Sequence, residues 1–385
     1  MIRFLKEAGG LKGKRVLVRI DVNVPIFGNA IKDDFRIRRV LPTLRFLKEH
    51  GAFPIVISHH SHTGQTLEPV AEYLGRIMKT RFIRDFLGTG VTPSPEEDAV
   101  YVCENLRFFK EEEANDEAFS KKLASLGELY VNDAFAVSHR HHASIVTLPK
   151  FLPSYAGLLF EDEIKNLSVA FTPPRPSLFI LGGAKAKTKL PLAEKFSAIA
   201  DTVFLGGALA NNCFKDQGYE IGISAFEDMV CNLASSVEKG TVILPSDVVV
   251  RDGAGRVVKN PADVLPEEKI VDAGPQTLQT LKAHIKEAAF ILWNGPLGDL
   301  EEGFSGGTIE LLNAIADANA RTLIGGGDTV SVVSGLGKEE RFGFISTGGG
   351  AMLEFLLHRT LPGIQALERS QECFDDAQHR SGTVN

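Results

Sequence analysis

Short apolar runs alternate with stretches of helical periodicity along almost the whole of this 385-residue chain. Two of these runs are RVLVRID (15–21) and SLFILGG (177–183), and both lack the polar–apolar alternation of a half-exposed strand. Continuous apolar strands are typical of parallel sheets that are covered by helices on both faces. The pattern therefore predicts an α/β fold with parallel sheets flanked by helices. The other strand-like runs are FPIVISH (53–59), VYVCEN (100–105), ELYVND (128–133), TVFLGG (202–207), AFILWNG (289–295), RTLIGGG (321–327) and FGFISTGG (342–349).

The predicted strands fall into two sets, and the chain is too long for one ordinary core. We expect an N-terminal domain over 1–154 and a C-terminal domain over 176–355. A helical stretch followed by prolines predicts a hinge helix and linker over 155–175. The segment 356–385 is expected to pack back toward the N-terminal domain, and its polar tail after Pro362 is predicted to be irregular.

A helix is predicted from Asp34, because apolar residues recur after it at helical spacing. Asp34 is the candidate N-cap, and Gly51 is the expected end. Pro42 lies inside this pattern and is expected to kink or interrupt the helix, since proline has no N–H to donate.

The composition limits the classes of partner. A net charge of −7 predicts no general attraction for nucleic acid or an anionic membrane. No apolar run approaches the roughly 18 residues of a membrane span, and the charged N-terminus does not resemble a signal peptide. The cysteines are scattered, so no disulfide framework or zinc site is suggested and a reduced, cytoplasmic protein is expected. They are Cys103, Cys213, Cys231 and Cys373.

The residues at the predicted strand ends differ between the two halves. In open α/β sheets ligands bind beyond these ends. Polar and cationic groups at the strand ends of the first half suit a small polyanion. Glycines at the strand ends of the second half suit nucleotide phosphates. Together these two kinds of strand end indicate phosphoryl transfer across a cleft. Taken singly, the arginines could be solvated charges and the glycines or Asp21 ordinary turn residues. The first-half residues are Arg19, Asp21, Asn23, His59, Asn105, Arg107, Asn132, Asp133, His139, Arg140 and His142.

The standard phosphate-binding motifs are absent from the sequence. GGAKAKTK (182–189) lacks the second glycine of a P-loop, and no GxGxxG with a suitably spaced acidic residue follows a strand. The ordinary P-loop and dinucleotide interpretations therefore fail.

Several motifs together resemble the phosphoglycerate kinase family over nearly the whole chain. They occur in the family's order: RVLVRIDVNVP (15–25), ENLRF (104–108), VNDAF (131–135), GGAKAKTK (182–189), WNGPLG (293–298), GGGDT (325–329), STGGGA (346–351) and LPGIQAL (361–367). The resemblance implies two Rossmann-like domains joined by a helical hinge. It also implies a monomer that reversibly transfers a phosphoryl group from 1,3-bisphosphoglycerate to MgADP, giving 3-phosphoglycerate and MgATP in glycolysis and gluconeogenesis.

The resemblance also implies roles for individual residues. The N-terminal domain would bind phosphoglycerate through Asp21, Asn23, Arg36, His59, Arg107 and Arg140, with His62 as a further candidate. The C-terminal domain would bind ADP or ATP through Lys185, Lys189, Gly207, Asn294, Glu301, Gly325, Gly326, Gly327, Asp328 and Thr329, and Asp328 would bind Mg²⁺. The groups expected to act on the transferred phosphoryl are Arg36, Lys189, Gly326 and Gly349.

One loop departs from the family pattern. The family usually has SHxGRP after the second strand, whereas this chain has SHHSHTGQT at 58–66. His59 fits, but His62 stands where the family has an arginine. We expect weaker or more pH-sensitive binding of phosphoglycerate, because the charge of a histidine depends on pH.

Three other interpretations compete with an active kinase. The missing arginine would suit a catalytically weakened relative that still binds nucleotide, although Arg36, Lys189 and Asp328 count against it. A non-enzymatic scaffold on this fold is the second, since fold does not fix function. A two-domain dehydrogenase is the third, and the absent dinucleotide motif counts against it.

Histidine runs at 59–62 and 139–142 could bind a transition metal, but Arg140 would repel a cation, which favours an anion.

Overall fold

The computed structural model describes residues 2–28, 30–62, 64–89, 98–253 and 255–381. Residues 382–385 of the expected C-terminal segment lie outside these ranges. The chain divides into two compact units, which we call unit 1 (1–165 and 360–385) and unit 2 (166–359). No helix in the described ranges is long and apolar enough to cross a membrane.

The strands and helices alternate as the sequence predicts. The strands are β1 Arg15–Ile20, β2 Ile26–Phe27, β3 Ala30–Ile31, β4 Phe53–Ile57, β5 Thr80–Ile83, β6 Val100–Cys103, β7 Leu129–Asp133, β8 Ser154–Ala156, β9 Ser177–Leu181, β10 Thr202–Leu205, β11 Val242–Ile243, β12 Val248–Arg251, β13 Arg256–Lys259, β14 Lys269–Ala273, β15 Phe290–Asn294, β16 Arg321–Gly325 and β17 Phe344–Ile345. The α-helices are α1 Phe35–Glu49, α2 Glu68–Gly75, α3 Lys110–Glu113, α4 Glu117–Ala124, α5 Leu158–Ser168, α6 Ala186–Ser197, α7 Ala208–Asp216, α8 Ala234–Glu238, α9 Pro275–Glu287, α10 Gly306–Ala316, α11 Gly327–Leu336, α12 Gly350–His358 and α13 Pro362–Ser381.

Unit 1 is built on a parallel sheet with strand order β5-β6-β4-β1-β7-β8. The central strand β1 pairs with β4 from Arg15 opposite Phe53 and with β7 from Val16 opposite Leu129. Its apolar residues are buried with those of α1 and α2 in one core cluster. This arrangement places the carboxyl ends of β1, β4, β6 and β7 along one edge of the sheet. The α/β prediction is confirmed.

Helix α1 is not interrupted at Pro42, where a kink or an interruption was expected. It runs without interruption from Phe35 to Glu49 with Pro42 inside it. Leu41 and Leu44, on either side of the exposed proline, are buried in the core, and this packing holds the helix across the lost hydrogen bond. Asp34 precedes the helix but makes no capping hydrogen bond; its carboxylate instead accepts from Arg38 Nε at 2.8 Å and from the Tyr73 hydroxyl.

Unit 2 contains a second parallel sheet with strand order β11-β10-β9-β15-β16-β17. An additional antiparallel sheet of order β13-β12-β14 was not predicted from the sequence. Val248 and Val250 on β12 alternate buried with half-buried neighbours, and they pack with Ala210 and Phe214 of α7. The small sheet therefore covers α7, which begins directly after β10.

The prediction of an irregular C-terminal tail is wrong, because α13 is a helix. Ile364 and Leu367 are buried, and α13 packs against residues 143–150 of unit 1. Ser370 Oγ donates to Leu152 O at 3.1 Å. The helix therefore depends on a surface distant in sequence. The division between the units falls inside α5, after Lys165.

The expectation that the chain has no disulfide is also wrong. Cys213 in α7 is bonded to Cys231, 18 residues later. The intervening segment folds back on the helix: Asn212 Nδ2 donates to Met229 O at 3.1 Å, and Cys231 N donates to the Asp216 carboxylate. These side-chain contacts bring the two sulfurs together, and no spacing motif in the sequence signals them.

Candidate functional site

The first group of site residues lies at the carboxyl edge of the unit 1 sheet. Asp21 follows β1, is almost fully buried, and accepts from Arg36 Nη1 at 2.7 Å and from Asn23 N at 2.9 Å. Burial alone would raise the pKa of Asp21, but the charge of Arg36, the hydrogen bond from Asn23 N and the charge of Arg19 lower it below its usual range. Asp21 is therefore an anion that orients the Arg36 guanidinium at the start of α1.

A loop after β4 connects Asn23 with Arg107. Asn23 Nδ2 donates to Ser61 Oγ at 2.9 Å, and Ser61 N donates back to Asn23 Oδ1 at 3.0 Å. Arg107 Nη1 donates to the same Ser61 Oγ at 3.1 Å, while its Nε lies 3.2 Å from a Glu113 carboxylate oxygen. The structure thus brings Asn23 and Arg107 to one serine, on the loop that carries His59.

His59 and His142 show how strong the positive field of this cluster is. Burial and then Arg19 lower the pKa of His59 well below its usual value, although Asp21 opposes them. Burial, Arg19, Arg140 and Arg107 lower the pKa of His142 to about 4. Arg140 is exposed and acts on both rings through its charge. Guanidinium groups in such proximity favour binding of an anion.

His62 lies in the same loop as His59, and its contacts are with His60. It is exposed, and its ring stacks on His60 with centroids 5.4 Å apart. His62 N donates to His60 Nδ1 at 3.2 Å, and His60 Nε2 is 2.9 Å from Val24 O. His60 therefore holds the loop to the strand end, with His62 at its surface.

The second group of site residues surrounds a cavity of about 260 Å³ in unit 2. Its wall includes three of the predicted nucleotide residues, Gly207, Glu301 and Asp328. Gly207 has φ +57° and a Cβ there would lie 2.7 Å from Gly183 N, so only glycine fits before α7. The wall is formed by Gly183, Ala184, Gly207, Ala208, Ala210, Asn211, Phe214, Ala225, Pro245, Val248, Lys269, Ile270, Val271, Asp272, Ala273, Pro296, Leu297, Gly298, Asp299, Leu300, Glu301 and Asp328.

Lys189 is a buried cation beside this cavity. Its side chain is 5% exposed, and Nζ donates to Gly182 O at 2.6 Å. Burial, and secondly the charge of Lys185, lower the pKa of Lys189 to about 8, although Asp328 opposes the shift. No carboxylate forms an ion pair with it among the described residues, so Lys189 is a buried positive charge that an anion could neutralise.

Backbone contacts join the remaining predicted residues around Lys189. Asn294 ends β15, and Gly295 N donates to Thr329 Oγ1 at 3.0 Å. Gly326 has φ +92°, and Gly327 and Asp328 begin α11. Of the other predicted residues, Gly325 ends β16, Lys185 precedes α6 with φ +71°, and Gly349 precedes α12 with φ +50°. Helix N-termini that follow glycines are suited to phosphate.

Sequence reasoning missed several residues of the cavity wall. Asn211 is buried, its Nδ2 donates to Ala225 O at 2.9 Å, and its Oδ1 has no hydrogen-bond partner in the described part of the chain. Lys269 Nζ lies 2.7 Å from an Asp299 carboxylate oxygen, and both residues line the wall. Asn211 and Asp299 each lie four residues after a strand-end glycine, so the strand-end pattern could have suggested them, whereas Lys269 begins β14 and has no such signal.

The comparisons with known proteins agree on one family. A family profile described as Phosphoglycerate kinase matches residues 5–359. The chain is 40% identical to "Phosphoglycerate kinase" of Dictyoglomus turgidum over 381 residues, covering 93% of this chain and 96% of that protein. It is 41% identical to the protein of the same name from Solibacter usitatus over 383 residues, covering 93% and 97%.

Solved structures give the same result. The fold matches the structure of phosphoglycerate kinase from Coxiella burnetii with TM-score 0.83 and 35% identity, covering 97% of this chain and 100% of that one. It matches the enzyme from Pyrococcus horikoshii with TM-score 0.82 and 31% identity, again covering 97% and 100%. Profile, sequences and structures all extend over both units, so the chain belongs to the phosphoglycerate kinase family.

Proposed function

We propose that the two units of this phosphotransferase, whose acceptor is a carboxyl group, bind different substrates. Unit 1 binds 3-phosphoglycerate or 1,3-bisphosphoglycerate, and unit 2 binds MgADP or MgATP. The observation that carries the proposal is the concentration of positive charge in each unit: the guanidinium groups that lower the pKa of His59 and His142 in unit 1, and the buried Lys189 in unit 2.

In unit 1, Arg36, Arg107 and Arg140 supply the charge that binds phosphoglycerate. Asp21 orients Arg36 from a distance of 2.7 Å, and Ser61 joins Arg107 to Asn23. Guanidinium forks match carboxylate and phosphate oxygens, and phosphoglycerate has both. His59 and His62 lie on the adjoining loop and complete the proposed contacts.

In unit 2, the glycine-rich strand ends and helix N-termini bind the nucleotide phosphates. Lys185, Lys189, Asn294 and Thr329 would contact these phosphates, with Gly207, Gly325, Gly326 and Gly327 providing close backbone approach. Glu301, in the cavity wall, is placed to accept from the ribose. The phosphates give Lys189 the negative partner that it lacks within the described residues.

Asp328 fits the role of magnesium ligand. Its exposed carboxylate lines the cavity, and no cluster of three or more His, Cys, Asp or Glu residues in the described ranges offers a protein-only metal cage. Magnesium is commonly bound by one or two carboxylates together with substrate phosphates. When bound, Mg²⁺ would neutralise phosphate charge; Asp328 would hold it on the Lys189 side of the cavity.

Transfer then depends on positioning and charge. We assign stabilisation of the transferred phosphoryl oxygens to Arg36 and Lys189, helped by backbone N–H groups at Gly326 and Gly349. The attacking group of 3-phosphoglycerate is an ionised carboxylate, so no side chain has to remove a proton from it. Motion about α5 would bring the reactants within reach and expel water.

The enzyme is proposed to act as a monomer that binds only its small-molecule substrates. Each ligand group lies within one unit of a single chain, which supports a monomer. The net charge of −7 supports an enzyme that binds neither nucleic acid nor membrane. We also propose that it acts in the cytoplasm.

A coupled assay with MgATP and 3-phosphoglycerate tests these roles. Lys189→Ala and Arg36→Ala should each lower kcat by about a hundredfold or more, as for removal of a group that stabilises transition-state charge. Lys187→Ala and Arg45→Ala are matched controls, because both residues are exposed on the same two helices.

The outcomes separate the alternatives. Near-parental kcat in both controls and large losses in both site variants support the proposal. An inactive parent that still binds MgADP by calorimetry would instead indicate the weakened, nucleotide-binding relative. Equal losses in site and control variants would contradict the assigned roles.

A further inference from the structure

Arg19 has no proposed contact with a ligand, yet it contacts His59 directly. Arg19 is 1% exposed near the end of β1. Its Nε donates to Ser144 Oγ at 2.9 Å and its Nη1 to Ile20 O at 2.6 Å. Its Nη2 lies 3.1 Å from His59 Nδ1. The guanidinium is thus held by two acceptors and faces the imidazole with the third nitrogen.

The donor–acceptor chemistry of this contact allows only one arrangement. A guanidinium has only N–H donors and keeps its proton in proteins. His59 Nδ1 must therefore accept with its lone pair, which leaves the ring proton on Nε2. A doubly protonated imidazolium would place an N–H against the Arg19 N–H. No hydrogen bond joins His59 Nε2 to another residue in the described ranges, so that N–H remains for a ligand.

The groups around His59 also oppose a second proton. The charged groups that act on it are Arg19, Asp21, Arg107 and Arg140. Burial and then Arg19 lower the pKa of His59 well below its usual value; Arg107 and Arg140 add to this, and only Asp21 opposes it. The ring therefore stays neutral through the pH range in which a free histidine titrates, around pH 6.5.

A buried network keeps Arg19 in place. Ser144 accepts from Arg19 and donates its hydroxyl to Glu112 Oε1 at 2.6 Å. Ser144 N donates to Glu112 Oε2 at 2.9 Å, and the Tyr130 hydroxyl donates to Ser144 O at 2.6 Å. Glu112 and Ser144 are fully buried. Buried polar groups that are mutually satisfied hold one geometry, so the guanidinium has little freedom to turn away from His59.

We propose that Arg19 is a positioning residue that fixes His59 as the neutral Nε2–H tautomer, so that His59 offers phosphoglycerate an uncharged, directional hydrogen-bond donor. The assignment of the ligand rests on the proposed function of unit 1. His59 then selects for an acceptor oxygen at one position, while Arg36 and Arg107 supply the charge. Its contribution to binding does not fade as pH rises through the ordinary titration range of histidine.

The tautomer is measurable on the ligand-free, full-length protein. Long-range ¹H–¹⁵N spectra of ¹⁵N-histidine-labelled protein distinguish Nε2–H, Nδ1–H and imidazolium rings, and His59→Gln assigns the signal. The parent should show an Nε2–H pattern that does not change between about pH 5.5 and 8. An Nδ1–H pattern, or titration with a midpoint near 6.5, would overturn the proposal.

Variants of Arg19 test whether this residue determines the tautomer of His59. In Arg19→Met, His59 should titrate or mix tautomers, whereas Arg19→Lys, which also only donates, should restore the Nε2–H form in part. Arg45→Met, exposed on α1, should leave the spectrum unchanged. If Arg19→Met does not fold, Ser144→Ala removes the Nε acceptor, together with the hydroxyl's hydrogen bond to Glu112, while leaving Arg19 itself in place, and broadened or shifted His59 signals are then expected. An unchanged His59 pattern in folded Arg19→Met would refute the role of Arg19.

Kinetics separate this inference from the proposed function. Arg19→Met should raise KM for 3-phosphoglycerate about three- to tenfold and make it depend on pH, with KM for MgATP unchanged. Equal changes in both KM values would indicate a merely structural role and overturn the inference. An inactive parent with the expected tautomer would refute the kinase assignment and the named ligand but leave the Arg19–His59 pairing standing.

Discussion

Replacing Lys189 by methionine should make the protein inactive and more stable. Lys189 is buried beside the cavity, and the only hydrogen bond of its Nζ to another described residue is to Gly182 O. Its pKa is lowered from 10.5 to about 8, chiefly by burial. The folded protein therefore keeps a charged ammonium at neutral pH in a place that disfavours charge. Methionine has a similar length and no charge to desolvate.

The size of the effect follows from the pKa shift. A fall from 10.5 to about 8 corresponds to about 3 kcal/mol of unfavourable free energy while Lys189 is charged. Loss of the hydrogen bond to Gly182 O offsets about 1 kcal/mol of the gain. Methionine should thus stabilise unit 2 by about 2 kcal/mol. For a unit of about 200 residues this raises Tm by roughly 4–8 °C.

The stability gained by Lys189→Met should depend on pH, which provides a second test of its sign. The pKa of Lys189 is lower in the folded protein than the value of 10.5 in the unfolded chain. The parent protein therefore loses stability as pH falls from 10.5 toward about 8, because the buried side chain becomes charged. The gain from Lys189→Met should therefore be full at about pH 7 and smaller at about pH 9.5. Calorimetric melts of ligand-free protein measure it, with Lys187→Met as the exposed control. A Lys189→Met protein less stable than the parent at neutral pH would refute the reasoning.

Three further predictions concern other parts of the molecule. His62→Arg should lower KM for 3-phosphoglycerate by about three- to tenfold with KM for MgATP unchanged, since it adds a fixed charge to the loop; equal KM values in variant and parent would contradict this. Reducing the bond between Cys213 and Cys231 should destabilise unit 2 by about 3 kcal/mol in thermal melts, and a thiol count of four in the unreduced, denatured protein would show that no bond forms. Glu104→Ala should cost about 2–4 kcal/mol in denaturant unfolding because the buried carboxylate accepts from two backbone N–H groups, and a loss no larger than for an exposed glutamate would argue against it.

The sequence was sufficient to predict the central strands of the two parallel sheets, but not the edge strands β5, β8 and β11. Each predicted strand contains a strand of the structure, because buried parallel strands are continuous apolar runs. The strand-end pattern also identified Asp21, which the structure places beside Arg36, and Gly207, which the structure places in the cavity wall. Strand order was not needed for this, since the carboxyl ends of parallel strands meet at one edge.

Features that depend on contacts distant in sequence were not predicted. Helix α13 depends on a surface around 143–150, and the segment alone is too polar to signal a helix. The bond from Cys213 to Cys231 depends on side-chain contacts that fold a loop back onto α7. Arg19 was visible as a strand-end cation, but its contact with His59 depends on the pairing of β1 with β4.

The central claim is that phosphoglycerate binds to unit 1 and nucleotide to unit 2 during one reaction. Steady-state kinetics of Arg107→Gln and Glu301→Gln, with both substrates varied, tests it most directly. Arg107→Gln should raise KM for 3-phosphoglycerate about tenfold or more and leave KM for MgATP within about twofold, and Glu301→Gln should raise only KM for MgATP. Reversed effects, or equal changes in both KM values for either variant, would contradict the assignment of the two ligands to the two units.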